Sequence, residues 1–403
     1  MGKIYFTRQQ STCSGRDLHH GKSEWVYIVG AHSRAQTLAV YLKYLYPDTS
    51  IEAYLVNNEE KNPEFIEGIP VVHFQGNSKR YSESMSLAPS CSETDTKYLE
   101  LHTEYPVYIG TRGIYHEKLI SELQECGFTK IYPVTVERDL RLRNAYLERY
   151  FTSIGREFVK IDQLDAVKRT AVGQPSRAVY VVRSTCDKEL QQPYDLADYE
   201  TEIQAGAALT QRRLSEEMLT DASGDNISYR NKQFCELTAL YWIWKNASEE
   251  VVGMVHYRRH FILPEDWCEQ MESYNIDAIL PTPLYVAPSL AENYRSRHDS
   301  SDWDYMMEYL KIQDEEIYQG ARDFFGHNLY SPCNMFIVRK SVLNDLCKWL
   351  FPILDAVAAH GGQKEDNYLN RYPGFISERL ISYFFERYRD KYKMVYADKN
   401  FLP

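Results

Sequence analysis

Much is missing from these 403 residues, and each absence removes a class of protein. No run approaches the roughly 18 apolar residues that a membrane-spanning helix needs, so a soluble or at most peripheral protein is expected. The opening residues, Met1 to Phe6, lack a signal-peptide apolar core, which points to the cytoplasm or its membrane face. The cysteines (Cys13, Cys91, Cys126, Cys186, Cys235, Cys268, Cys333 and Cys347) are scattered, with neither a C-x-x-C pair nor metal-ligand spacing. Reduced thiols are expected rather than a disulfide framework. Positive charge is also short. A net charge of −11 leaves no general basic face for nucleic acid.

What is present is globular: 44% apolar residues against 26% charged, in a chain too long for one ordinary domain. The 33 tyrosines often sit in polar contexts, such as Tyr294 and Tyr372, where amphipathic rings suit sugars and other partly polar ligands.

The first domain reads as a βαβ unit. Trp25–Val29 is a strand, Gly30–Ala31–His32–Ser33 a turn, and Leu38, Leu42 and Leu45 mark a helix before a strand at Ile51–Val56. A third strand follows at Gly68–Phe74. A dinucleotide site would want G-x-G-x-x-G and an acid ending the second strand. Only Gly30 is present, and Asn57 and Asn58 take the acidic position, so a small-ligand, interaction or scaffolding role competes with NAD binding. The pattern resembles the Rossmann-like amino-terminal domains of bacterial polysaccharide enzymes, with their Gly-Ala-Gly-Gly-His turn eroded. Residues 76–97, rich in Ser, Thr and charge, read as a flexible insertion. Order resumes at Tyr105–Gly110, a helix to Cys126 and a strand at Lys130–Val134. A charged helical stretch, Glu137 to Asp165, leads to the Gly/Pro/Ser passage at 172–176. The expected domains are therefore 1–170 and 177–403.

The second domain restarts with a strand at Ala178–Val182, followed by a polar stretch ending in Gly224–Ser228 and an apolar helix, Asn231–Asn246, expected to be buried. Glu236 inside that helix needs a partner, for which Arg258 or Arg259 would serve. The chain is organised around Glu249–Phe261, where an apolar strand, Val251–Val255, runs into His256, Arg258, Arg259 and His260. Active sites of open α/β sheets lie beyond such strand ends, and two guanidiniums there match a diphosphate. The alternative is a basic strand end paired with carboxylates.

Residues 178–400 resemble the bacterial capsular and exopolysaccharide glycosyltransferase family built around a His-Tyr-Arg-Arg-Tyr-Phe signature and grouped with GT-A type transferases. The matching pieces are Gly224–Ser228, Asn231 with Cys235–Asn246, Gly253–Phe261, Tyr294 with His298 and Asp302, Asn334–Ile337, and Gly374–Leu380. His260 departs from the family's aromatic. The resemblance implies an α/β GT-A type nucleotide-diphospho-sugar transferase domain behind a small Rossmann-like parallel-sheet domain. It also implies sugar transfer from a UDP-sugar to a lipid-linked or oligosaccharide acceptor in capsule, exopolysaccharide or O-antigen assembly. Some relatives use UDP-galactofuranose, which makes it the leading donor.

Arg258 and Arg259, with His256, are expected to neutralise the donor diphosphate in place of a metal. A divalent cation is not favoured, although Asp302–Trp303–Asp304 has the form of a metal motif. Glu378, near a helix start at Ser377, is the expected general base; a helix-capping role beside Arg379 is the alternative. Tyr294, His298 and Asp302, each four apart, share a helical face that would line donor sugar or acceptor, Asp302 with a catalytic part, unless they form a solvated face. Asn334 and Gly374 are further sugar or acceptor contacts. Arg183, Asp187, Gly206, Asp225 and Asn226 are expected at the nucleotide, with a plain turn competing for Asp225. Two other functions stay open: an NAD-dependent nucleotide-sugar modifying enzyme, and a non-catalytic protein of the polysaccharide machinery.

Overall fold

The structure, a computed structural model, describes residues 24–57, 61–74, 101–167 and 175–402. It divides into two compact units, Met1–Ile154 and Gly155–Pro403. The expected insertion at 76–97 lies outside the described residues, as does most of the 172–176 passage.

The first unit runs β1 (Glu24–Val29), α1 (Ser33–Leu45), β2 (Thr49–Val56), β3 (Phe65–Ile66), β4 (Ile69–His73), β5 (Val107–Ile109), α2 (His116–Glu125), β6 (Ile131–Pro133) and α3 (Val136–Ser153). Its sheet has the order β3-β4-β2-β1-β5-β6, with every pair parallel except β3–β4. Helices cover both faces, so β1 is apolar without alternation: Val26 to Val29 are all buried. The chain steps from β1 to β2 on one side and returns to β5 on the other, which makes the carboxyl ends of β1 and β5 a switch point. Thr135 caps α3 through the Arg138 amide, and Glu137 and Asp139 complement its dipole.

The helix expected to reach Asp165 stops at Ser153. The segment beyond belongs to the second unit: Phe158 stacks on Tyr396 at 5.1 Å, and Lys160 pairs with Asp398 at 2.8 Å. The division thus falls at 154/155 rather than near 170.

The second unit comprises β7 (Arg177–Arg183), β8 (Glu200–Gln204), β9 (Leu219–Thr220), α4 (Asn231–Phe234), α5 (Leu237–Asn246), β10 (Val251–His256), α6 (Trp267–Ser273), β11 (Ala278–Pro281), β12 (Leu284–Tyr285), α7 (Leu290–Arg295), α8 (Ser300–Gln313), α9 (Glu315–Phe325), β13 (Leu329–Tyr330), β14 (Phe336–Arg339), α10 (Lys340–Gly361), α11 (Tyr372–Arg387) and β15 (Met394–Ala397). Seven strands form one sheet in the order β9-β8-β7-β10-β14-β11-β15, in which only β14 runs against its neighbours. Both units are α/β with mainly parallel sheets, as the sequence led one to expect.

Strand β10 is the middle strand, and Val251 to Val255 are buried. Gly253 is needed there because a Cβ would stand 2.8 Å from Ile337 Cγ1. The order reverses between β7 and β10, so a second switch point lies at their carboxyl ends. Because β14 is antiparallel, its amino end opens onto the same edge. That edge collects Arg183, His256 and Asn334 from three separate parts of the chain.

The apolar helix expected over Asn231–Asn246 is broken. Cys235 adopts φ 49°, splitting α4 from α5 and leaving Glu236 at the start of α5.

Candidate functional site

At the switch point of the second unit, Arg258 and Arg259 follow β10 in a tight turn, with His256 N–H and Arg259 N–H each bonded to the other's carbonyl. Both guanidiniums are half-buried and neither pairs with a carboxylate among the described residues. Arg258 reaches the Glu189 carbonyl, at 3.4 Å, and the Tyr257 ring, 5.4 Å from its centroid, and its buried Nε has no hydrogen-bond partner among the described residues. Arg259 lies over the Phe401 ring, 5.4 Å from its centroid. Half-buried cations without a paired carboxylate leave room for an anionic ligand to complete them.

Asp187 accepts the Ser184 N–H at 2.7 Å. Burial raises its pKa, while that bond and the charges of Arg183, His256 and Arg258 oppose the rise. Arg183 pairs with Glu202 at 2.8 Å. Beside them lies a cavity of about 290 Å³ lined by Arg183, Glu189, Tyr194, Glu202, Tyr257 and His260. His260 is fixed within the fold: 1% exposed, it meets Glu200 at 2.7 Å and stacks against Tyr194.

A second cluster sits across the same edge. His256 Nε2 lies 2.6 Å from the Cys333 carbonyl. The Cys333 N–H donates to Glu378 at 3.1 Å, and Arg379 holds the other Glu378 oxygen at 3.3 Å. Asn334, 1% exposed, donates to Glu236 at 2.8 Å and to the Gly374 carbonyl at 3.1 Å, and accepts from Ser377 at 2.9 Å. Cys235, Cys333 and Asn334 all have φ between 49° and 77°, so three non-glycine residues in the left-handed region bracket the two carboxylates. Burial pushes the Glu378 pKa above the ordinary carboxylate value, and the nearby Glu236 charge adds to the rise. A carboxylate poised in this way is suited to accept a proton.

Two expectations change here. The helix carrying Glu378 begins at Tyr372 rather than Ser377, with Pro373 in its first turn. Glu378 therefore sits beyond the reach of the dipole, and it is held by Cys333 and Arg379 instead. Glu236 is partnered by Asn334, not by an arginine. Asn334 and Gly374 serve that scaffold with the groups seen here.

Tyr294, His298 and Asp302 do not share one helix, since α7 ends at Arg295 and α8 starts at Ser300. Tyr294 is fully buried. His298 stacks on Phe375 at 4.2 Å, and its pKa is lowered to about 4 by burial and by the Arg379 and Arg297 charges. Asp302, 1% exposed, is bound by Lys364, and Asp304 by Arg295, so both carboxylates of the metal-like motif are engaged by cations. Asp302 is thus a member of an interior ion pair. Among the described residues no three His, Cys, Asp or Glu side chains converge as a metal site.

Gly206 has φ 70°, and a Cβ there would lie 2.5 Å from Asn231 Oδ1. Its N–H donates to fully buried Asp221, which also accepts from Ala207, Ser228 and Thr238. The glycine is thus accounted for by the turn. Asn226 caps its own turn through Gly224 and Ser228, and Asp225 meets Tyr241 and Asn246, near the end of α5. Ten helical residues, about 15 Å, separate that end from Glu236, so Asp225 and Asn226 stand apart from the carboxylate cluster.

Residues 184–390, just over half of the chain, match a family model described as a domain of unknown function, DUF4422. The chain belongs to this family. The DUF4422 region holds the site residues discussed above except Arg183, which immediately precedes it, and Phe401, which follows it, and leaves the first unit outside. One solved structure is similar to this chain: the apo form of the bifunctional glycosyltransferase WbbM, 24% identical, TM-score 0.49, covering 56% of this chain and 45% of that one. The chain thus spans less than half the length of that relative. No curated protein matches.

Glu236 was visible in the sequence as a buried carboxylate in want of a partner. Arg379 was legible as a salt-bridge partner of its neighbour Glu378, and it does pair with it. Cys333, which also orients Glu378, and Asp221, which gathers the 205–209 turn, carried no local signal in this DUF4422 sequence.

Proposed function

We propose that the second unit is a glycosyltransferase that moves a sugar from a nucleotide-diphosphate donor to an acceptor hydroxyl. The observation that carries this reading is the pair Arg258 and Arg259, half-buried and without carboxylate partners among the described residues at the switch point, with Glu378 within electrostatic reach of Arg259. The acceptor oxygen attacks the anomeric carbon as the bond to the diphosphate oxygen breaks. Glu378 takes the acceptor proton, and the two guanidiniums stabilise the charge gathering on the leaving diphosphate. One displacement with one base and no enzymic nucleophile inverts the anomeric centre.

UDP-galactofuranose is the proposed donor, on the sequence resemblance, and the acceptor a lipid-linked or oligosaccharide glycan of a bacterial surface polysaccharide. No divalent cation is required in this scheme. The test is a thermal-shift screen of UDP-, GDP-, dTDP- and CMP-sugars, since a ligand of the folded state raises apparent stability. Transfer assays with the best donor follow. Transfer that survives Arg258→Ala with Arg259→Ala, or no transfer from any donor, overturns the reading.

A further inference from the structure

A cavity lies in the first unit, outside the DUF4422 region. It measures about 820 Å³ and opens at the switch point, lined by the residues that follow β1, β2 and β5. That volume is within the range of small-molecule sites, and this position is where open parallel sheets bind ligands.

Its charge is one-sided. Arg34, Arg112 and Lys118 line it, with no acidic residue among the described lining, in a chain whose net charge is −11. The Arg34 and Arg112 side chains are exposed and form no ion pair among the described residues. Lys118 pairs with Glu122 at 3.6 Å. The Thr111 hydroxyl, also in the lining, is buried and has no hydrogen-bond partner among the described residues. Small residues bring these parts together: a Cβ on Gly110 would stand 3.0 Å from Ala35 Cα, and Gly30, at φ 108°, would place one 3.1 Å from Thr111 Cγ2. The start of the 13-residue α1 therefore closes one wall, and its first turn carries no acid to compete with an anion. Tyr115, half-exposed, adds an aromatic face to the lining.

We infer that this cavity is a binding site for a nucleoside diphosphate. The diphosphate would meet Arg34, Arg112 and the start of α1, and the base would lie on Tyr115. A dinucleotide such as NAD is a poor match. The residue ending the β2 side of the cavity is Asn57, whose amide donates to Glu122, where a ribose-binding carboxylate would be needed. This site rests on other residues than the proposed transferase centre and stands or falls separately.

The experiment is calorimetric titration of ADP into the full chain carrying Arg258→Ala and Arg259→Ala, which silences the proposed donor site of the second unit. One ADP should bind per chain. Adding Arg34→Glu and Arg112→Glu should weaken it roughly tenfold or more, because two cations at the diphosphate become anions. Both arginines are exposed, and an unchanged near-ultraviolet circular dichroism spectrum would confirm the fold. Thr111→Val, which keeps the shape and removes the hydroxyl, should weaken ADP a few-fold. Inorganic pyrophosphate should compete, and NAD should bind no more tightly than ADP. No ADP binding in the silenced chain, an affinity indifferent to the charge reversals, or NAD binding tenfold tighter than ADP would each overturn the inference.

Discussion

Replacing His298 with phenylalanine tests how the aromatic layer under the carboxylate cluster is held. The imidazole is stacked against Phe375 at 4.2 Å and lies tilted against Tyr294 at 4.7 Å, with Tyr368 at 5.5 Å, and its buried Nδ1 has no hydrogen-bond partner among the described residues. Burial, then Arg379 and Arg297, lower its pKa from 6.5 to about 4. The folded protein therefore keeps it neutral between those values while the unfolded chain takes up a proton. Stability is fully present above the unfolded pKa and is lost as pH falls toward 4. The whole shift corresponds to at most about 3 kcal/mol, and the part integrated between pH 7 and pH 5 to about 2 kcal/mol. His298→Phe keeps a flat ring and removes the titration. Urea unfolding at pH 7 and pH 5, followed by tryptophan fluorescence, should show the native protein losing about 2 kcal/mol more than the variant over that interval. Trp303, 5.0 Å from Tyr294, places a reporter next to the site. Parallel losses in both proteins would refute the claim that His298 is buried as the neutral base.

Glu378→Gln should lower turnover roughly 10²-fold or more, because the amide no longer accepts the proton, and should also lower stability, because its NH2 cannot accept from Arg379, which is 3% exposed. A near-normal rate would reassign the base. With its pKa raised, the acid limb of the native kcat profile should lie above the ordinary carboxylate range, so activity falls as pH drops through that limb. Lys364→Met should destabilise the second unit by about 3–5 kcal/mol by leaving Asp302 unpaired at 1% exposure, with Asp302→Asn costing less. Unfolding midpoints of the two variants check this. Activity should survive a strong chelator; complete loss restored by manganese or magnesium would give the diphosphate to a metal rather than to Arg258 and Arg259.

Local pattern alone determined the interior strands of both units. β1 and β10 are buried on both faces, and such strands show as unbroken apolar runs, Val26–Val29 and Val251–Val255, in any sequence. The two arginines beyond β10 were legible for the same reason, since a strand end is read from its own residues. Polar partnership was not legible, because it depends on which distant segments the sheet order brings to one edge. Asp302 meets Lys364 across 62 residues and Asn334 meets Glu236 across 98, and antiparallel β14 alone puts Cys333 and Asn334 beside His256. Helix breaks escaped likewise. Nothing near Cys235 announces its left-handed backbone, which the surrounding tertiary packing imposes. Composition and periodicity sufficed for the scaffold; the identity of each buried group's counterpart was decided only when the strands took their places.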